Sequence, residues 1–284
     1  MKKVKELNIF LKELVLGSHL LSLGAGAGIV FSALKLVNKD VNFFLLFLAY
    51  LSLQIIYNYD HISDLKRECS TNPERNKHLE GRSLLVVLYI VFLILLSFFV
   101  NYQVFLFFLF FTIGGVAYTT KLKSVTQNIV AFKNIYTSIF IALIPLVVLL
   151  EHGSHYDNVI TLLLFSSFVF LRLFLNTIYF DIKDIDDDKK NNLKTIPVLL
   201  GKRKTLKFLQ VLNFITILPI VFGFIFGVLP AFSLFLILFY FYSLWYLLKT
   251  SNLNIEKIRS WSYLMVDGEY IFWPLVLFIG SLIL

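Results

Sequence analysis

Residues 159–190 read VITLLLFSSFVFLRLFLNTIYFDIKDIDDDKK. From Val159 to Phe180 the only charge is Arg172, and the residues that follow carry Asp181, Asp184, Asp186, Asp187 and Asp188. A predominantly apolar run of about 20 residues is long enough to cross the roughly 30 Å hydrocarbon layer as a helix. Carboxylates at the end of such a run are costly unless they are paired, hydrated or metal-bound. This one stretch therefore points to a membrane fold and to the place where its chemistry lies.

The rest of the chain repeats the pattern. Of 284 residues, 58% are hydrophobic, 15% are charged and 31 are Phe, more apolar surface than a water-soluble fold can hide. Nine apolar spans are expected near 14–36, 41–58, 83–100, 104–119, 128–150, 158–180, 208–227, 230–248 and 264–284, giving an all-α, polytopic membrane protein with a single domain over 1–284. Pro145, Pro219 and Pro274 fall inside spans and are expected to mark kinks.

The distribution of Lys and Arg orients the spans. Lys2, Lys3, Lys5 and Lys12 precede the first; Lys66, Arg67, Arg75, Lys77 and Arg82 follow the second; Lys121 and Lys123 follow the fourth. Lys183 to Lys207 follow the sixth, and Lys249, Lys257 and Arg259 the eighth, whereas the alternate connections hold only Lys35 and Lys39. By the positive-inside rule the N-terminus is cytoplasmic and the C-terminus outside. The net charge of +8 follows from this asymmetry and implies no nucleic-acid partner. Met1 to Glu13 is too polar for a signal peptide, so the first span is expected to stay, and Val4 to Val15 has the spacing of a helix lying on the membrane surface. The single Cys69 allows neither an internal disulfide nor a cysteine metal cage. Usage rich in Lys, Asn, Ile and Phe points to a microbial chain, and the expected residence is a bacterial inner membrane.

If the helix of the opening stretch continues through its acidic end, Asp181, Asp184 and Asp188 lie within about 60° of arc and point one way. Such a cluster repels itself unless a cation sits in it, and an oxygen-only set suits Mg²⁺, which binds through a few carboxylates and substrate phosphates. A second pair, Asp60 and Asp64, stands at the same membrane face after span two and shares a helix face at i and i+4. Together the clusters can hold cations that bridge a diphosphate, and the boundary location suits a donor with an apolar chain. Arg172, inside its span, needs a partner: a carboxylate of the cluster, a substrate, or the interface. Asn176, one turn further on, is placed to hydrogen-bond an acceptor. Asp267 and Glu269 read as helix-end charges, and His152 and His155 lie in an outside loop away from the clusters.

Asp181-x-x-Asp184-x-x-x-Asp188 followed by Leu193-Lys-Thr-Ile-Pro-Val-Leu-Leu-Gly201 resembles the second aspartate motif and trailing segment of the UbiA superfamily of intramembrane prenyltransferases. Nine spans with acidic loops after the second and sixth are similar to that architecture. The resemblance implies Mg²⁺, a prenyl diphosphate donor and an unidentified hydrophobic acceptor. It implies that Asp60, Asp64, Asp184 and Asp188 are catalytic, and that these four with Asp181 bind metal. Tyr118, with Lys121 or Lys123, resembles a diphosphate-contacting stretch, and Lys133-Asn134 resembles a pair found in the next span of relatives. The first motif of the family begins Asn-Asp, where this chain has Ile56-Tyr57 with Asn58 displaced, so that Asn58 is a candidate substrate contact. That departure favours a second reading, a non-catalytic binder of prenyl lipids or of a partner enzyme, and a cyclase on the same fold is a variant of the enzymatic reading.

Overall fold

A backbone immersed in hydrocarbon must satisfy its own N–H and C=O groups, and a helix does so within one segment. The computed structural model describes residues 14–15, 17–68, 83–153 and 155–284, and among these there are helices and no strands. Cys69, most of the basic connection after span two, and Val4 to Glu13 of the expected surface helix lie outside the described residues. The apolar helices run α1 His19–Leu36, α2 Phe43–Glu68, α3 Ser83–Ser97, α4 Tyr102–Leu122, α5 Phe132–His152, α6 Tyr156–Lys190, α7 Ile196–Ile225, α8 Ala231–Thr250 and α9 Ile255–Ile283. Eight of them are long and apolar enough to cross a bilayer; α3, with 15 residues, is the short one.

Polarity is turned inside out relative to a water-soluble protein. Phe47, Phe98, Phe110, Phe226 and Leu282 are exposed on the outer surface, while Ser32, Asn134, Arg172, Asn213 and Glu269 are buried. An apolar outer surface around a core in which buried polar and charged groups pair with one another is the arrangement that lipid stabilises. The chain is an integral membrane protein.

α6 forms the spine, packed on α5 and α7, while α2 packs on α1, α3 and α4, and α9 on α1 and α8. α1 passes between α2 and α9 on the small-residue run Ser22–Gly28, which lets the backbones approach closely. Pro145 falls in a 3₁₀ turn over Ile144–Leu146 and Pro219 at the restart Leu218–Ile225, both breaks in their helices, whereas Glu269–Ile283 runs on through Pro274. π turns occur over Tyr118–Leu122 in α4 and Ser262–Val266 in α9.

The acidic end of α6 is shaped by the segment that follows it. α6 tightens to a 3₁₀ turn over Ile182–Asp184 and resumes over Ile185–Lys190. The chain then folds back: Leu193 N–H donates to the Asp188 carbonyl at 2.9 Å, and Lys194 N–H to the Thr126 carbonyl at 3.0 Å. The Ala131 N–H donates in turn to the Lys194 carbonyl at 2.9 Å, which ties the segment to the α4–α5 connection. Thr195 stands at the N-terminal boundary of α7 without a side-chain capping bond, and Pro197 occupies the first turn, where a missing N–H costs nothing. Gly201, at φ +72°, breaks α7 near its start, a conformation that a side chain would strain.

Candidate active site

A cavity of about 250 Å³ lies between α2, α4, α5, α6 and α9. Its lining divides into a charged end and an apolar wall. Asp60 of α2, Asp181, Lys183 and Asp184 of α6, Lys133 of α5 and Asp267 of α9 line the charged part. The wall carries Tyr118 and Phe111 of α4 with Tyr136 and Phe140 of α5. These four rings stack in succession: Tyr118 on Tyr136 at 4.8 Å between centroids, Tyr136 on Phe140 at 5.5 Å, and Phe140 on Phe111 at 4.5 Å. Lys133, Tyr136 and Phe140 are spaced about one turn apart on α5, so the ladder leads from the charges into the bundle.

Asp181 is fully buried and doubly held. Lys133 Nζ donates to its Oδ1 at 3.0 Å and Asn134 Nδ2 to its Oδ2 at 2.8 Å. Consecutive residues of α5 thus fix both oxygens of one carboxylate. Asp184 is paired with Lys183 at 2.7 Å, whose ammonium also lies 5.8 Å from the ring centroids of Phe180 and Tyr263. Asp188 is buried just outside the lining, its Oδ2 accepting from Thr195 Oγ1 at 3.1 Å, with Lys133, Asp181 and Asp184 as its electrostatic neighbours. The trailing Thr-x-Pro segment therefore serves the acidic cluster directly. Tyr118 lines the cavity with its hydroxyl buried beside Thr126, a donor suited to an incoming oxygen.

Three of the expected contacts lie outside the cavity lining. Asn58 does not reach the cavity: Ile56, Tyr57, Asp60 and His61 form the lining face of α2, and Asn58 is about 200° of arc from both Ile56 and Asp60. It is buried on the back, its Nδ2 donating to the Gln54 carbonyl at 2.8 Å and Gln54 Oε1 at 2.6 Å. Arg172 reaches neither the acidic cluster nor the cavity. Its Nε donates to Glu269 Oε1 at 2.9 Å, Nη1 to Asn213 Oδ1 at 2.8 Å, and Nη2 to Ser243 Oγ, with Glu269 Oε2 2.5 Å from Nη2. A desolvated guanidinium takes the carboxylate offered at its own level of the bundle, and the clasp joins α6, α7, α8 and α9. Lys121 is exposed at the end of α4, outside the lining.

Asn176 does line the cavity, but both arms of its amide are engaged: Nδ2 donates to the Tyr270 hydroxyl at 2.6 Å and Oδ1 accepts from Tyr246 at 2.9 Å. It is a fixed part of the wall. Asp64 falls in α2, one turn beyond Asp60, and Lys123 in the connection after α4; their side chains lie outside the description.

Asp267, Tyr57, His61 and Lys183 were missed by the sequence reading. A signal for the first existed: Asp267 and Glu269 both flank an apolar run, and residues two apart point about 200° from each other, so one partner cannot serve both. Among the described residues no three acidic, His or Cys side chains form a ready-made ion site. The oxygen-only set of Asp60, Asp181 and Asp184 nevertheless fits Mg²⁺, which needs one or two carboxylates when waters and phosphate oxygens supply the rest.

The fold has solved relatives. The chain is similar to a UbiA homologue from Archaeoglobus fulgidus bound to GPP and Mg²⁺, at 16% identity and a TM-score of 0.64 over 94% of this chain and 99% of that one. It is similar to the apo UbiA homologue from Aeropyrum pernix K1, at 15% identity and a TM-score of 0.63 over 93% and 96% of the two chains. A digeranylgeranylglyceryl phosphate synthase matches at 18% identity and a TM-score of 0.59 over 100% of both chains. At these identities the likeness is one of fold. No curated protein sequence matches the chain. The profile of the UbiA prenyltransferase family matches residues 75–279, well over half of the sequence. By fold, by the placement of its acidic helix ends and by that match, this integral membrane protein belongs to the UbiA prenyltransferase family.

Proposed function

We propose that the cavity binds a prenyl diphosphate with its diphosphate among the carboxylates and its chain along the aromatic ladder, and that the prenyl group passes from there to an acceptor. The observation that carries the reading is the joining of two opposite chemistries in one cavity: Asp60, Asp181 and Asp184 with Lys133 at one end, four stacked rings along the wall. A prenyl diphosphate has the same division. Asp60, Asp64, Asp181, Asp184 and Asp188 are the residues to hold Mg²⁺. When bound, the ion neutralises the diphosphate and so favours its departure as a leaving group.

The remaining roles belong to the chain itself. Asn134 and Thr195 orient Asp181 and Asp188, each by one hydrogen bond, so the carboxylates are fixed before a ligand arrives. Lys133, shared with Asp181, has a side chain 35% exposed and is placed to extend a second N–H to a phosphate oxygen. The Tyr118 hydroxyl is a further donor. The faces of Tyr136 and Phe140 stabilise positive charge that develops on the allylic carbon as its C–O bond lengthens. The Lys and Arg distribution supports a cytoplasmic position for the charged end.

Detergent-purified protein incubated with geranyl or dimethylallyl diphosphate, Mg²⁺ and a panel of acceptors tests the reading. Release of diphosphate that requires Mg²⁺ and disappears in Asp184→Ala is the expected result. No release from either donor with any acceptor would return the chain to the non-catalytic class, which Ile56 and Tyr57 in place of Asn-Asp favour.

A further inference from the structure

A second cavity, of about 380 Å³, lies beside the acidic end of α6, where the return from α6 to α7 meets the α4–α5 connection. Lys189, Asn192 and Lys194 of the return and Gln127 of the connection supply its polar lining. Leu193, Val198 and Leu199 supply the apolar part. The return is a tight one: the Asn192 N–H donates to the Lys189 carbonyl at 3.2 Å, and Asn192 itself takes a φ of +55°, a left-handed conformation that Asn tolerates. Gln127 Nε2 donates across to the Asn191 carbonyl at 3.3 Å. The turn so held brings Lys189 and Lys194 to one hollow.

The charge of this hollow is one-sided. Nearby lysines are engaged within the chain, Lys133 by Asp181, Lys183 by Asp184 and Lys190 by Asp187. Lys189 and Lys194 form no ion pair among the described residues, and the cavity lining contains no acidic residue. Lys194 Nζ meets only the Asn128 carbonyl, at 3.4 Å. Two ammonium groups placed together without a counter-charge favour an anion that both can bond.

The surface around the hollow is amphipathic. Gly201 interrupts α7, and the turn before it, 196–200, exposes Leu199 and Leu200 at 56% and 41%. After the break Arg203, Lys204 and Lys207 are exposed, followed along the same helix by exposed Phe208, Val211 and Phe214. A helix surface that passes from basic to apolar in this way marks the level where lipid headgroups give way to hydrocarbon. The hollow therefore lies near lipid phosphates, and exposed leucines among basic side chains are the composition of a membrane-surface contact.

We propose that this second cavity binds an anionic phospholipid, its phosphate held by Lys189 and Lys194 and an acyl chain lying over Val198, Leu199 and Leu200. The proposal is independent of the prenyl-transfer reading.

Native mass spectrometry of the detergent-purified protein, titrated with phosphatidylglycerol or with phosphatidylcholine of the same acyl chains, tests it. The native protein is expected to retain phosphatidylglycerol in preference to phosphatidylcholine. Lys189→Gln with Lys194→Gln is expected to weaken the apparent affinity for phosphatidylglycerol by about 30-fold, the weight of two lysines at an anionic lipid surface. Lys249→Gln with Lys257→Gln removes as much exposed charge outside the cavity, at the α8–α9 connection that Lys202 ties to this end of the bundle through the Leu253 carbonyl at 2.7 Å. That control is expected to leave the affinity at the native level. An equal loss in both double variants would reduce the effect to the general attraction of a basic face and overturn the site, as would equal retention of the two lipids by the native protein. Displacement of phosphatidylglycerol by inorganic phosphate at the same concentration would make the hollow a site for free phosphate and overturn the lipid assignment.

Discussion

Arg172 and Asp181 lie on the same helix and both are fully buried, yet they stand in opposite kinds of surroundings. Arg172 is enclosed by protein partners: Glu269 meets it twice, Asn213 and Ser243 each accept a further N–H, and none of these four residues lines the cavity. Asp181 also has both oxygens bonded, but its partner Lys133 reaches into the cavity, and Asp60, Asp184 and Asp267 line the same space. One cluster balances its charge internally and joins four helices. The other brings carboxylates and lysines from several helices to the wall of an open space. An intramembrane charge is thus not a site in itself; the open space that it lines is what a ligand can enter.

The comparison predicts that the two clusters fail in different ways. Glu269→Ala strands a buried guanidinium and is expected to destabilise the fold by about 3–5 kcal/mol, read as a fall in Tm in detergent. Replacing both partners, Arg172→Met with Glu269→Leu, removes the stranded charge and should bring stability back to near the native value. A Glu269→Ala protein that melts like the native one would break the comparison at its structural half. Asp184→Ala should be felt first in the chemistry, lowering kcat for prenyl transfer by about 10²–10³-fold as electrostatic stabilisation at the leaving group is lost, with a smaller fall in Tm than Glu269→Ala because the Lys183 it leaves behind lines the open cavity.

Lys133→Ala sharpens the contrast, because Lys133 both holds Asp181 and faces the cavity. Donor affinity, measured by titration with a prenyl thiodiphosphate, is expected to weaken by about 10–100-fold, the scale of losing an orienting partner at a metal site. Asn58→Ala should have the smallest effect. It removes hydrogen bonds on the back of α2, costs about 1 kcal/mol of stability, and leaves donor affinity unchanged. Weaker donor binding in that variant would mean that α2 presents a different face to the ligand.

What the sequence disclosed, it disclosed through local rules. The spans were legible because hydrocarbon imposes the same demand on every segment, and only α3 fell short, ending at Ser97 where apolar residues continue to Val100. The second cluster was legible because its carboxylates, their partner Thr195 and the Pro197 turn lie within one short stretch. The 3₁₀ turn over Ile182–Asp184 left Asp181 and Asp184 in the lining and set Asp188 beside it, a local change of helix type that the even spacing did not show. Arg172 and Glu269 are 97 residues apart, and no periodicity links them. Asp267 is brought in by a π turn and a close backbone approach, features of three-dimensional packing that composition does not carry.

The central claim is that carboxylates from α2 and α6 act on one diphosphate. Its most direct test is the binding of geranyl thiodiphosphate to detergent-purified native protein, Asp60→Ala and Asp184→Ala, each with and without Mg²⁺. The account predicts Mg²⁺-dependent binding by the native protein that is lost in both variants. Binding that ignores Mg²⁺, or that survives in both variants, would contradict it.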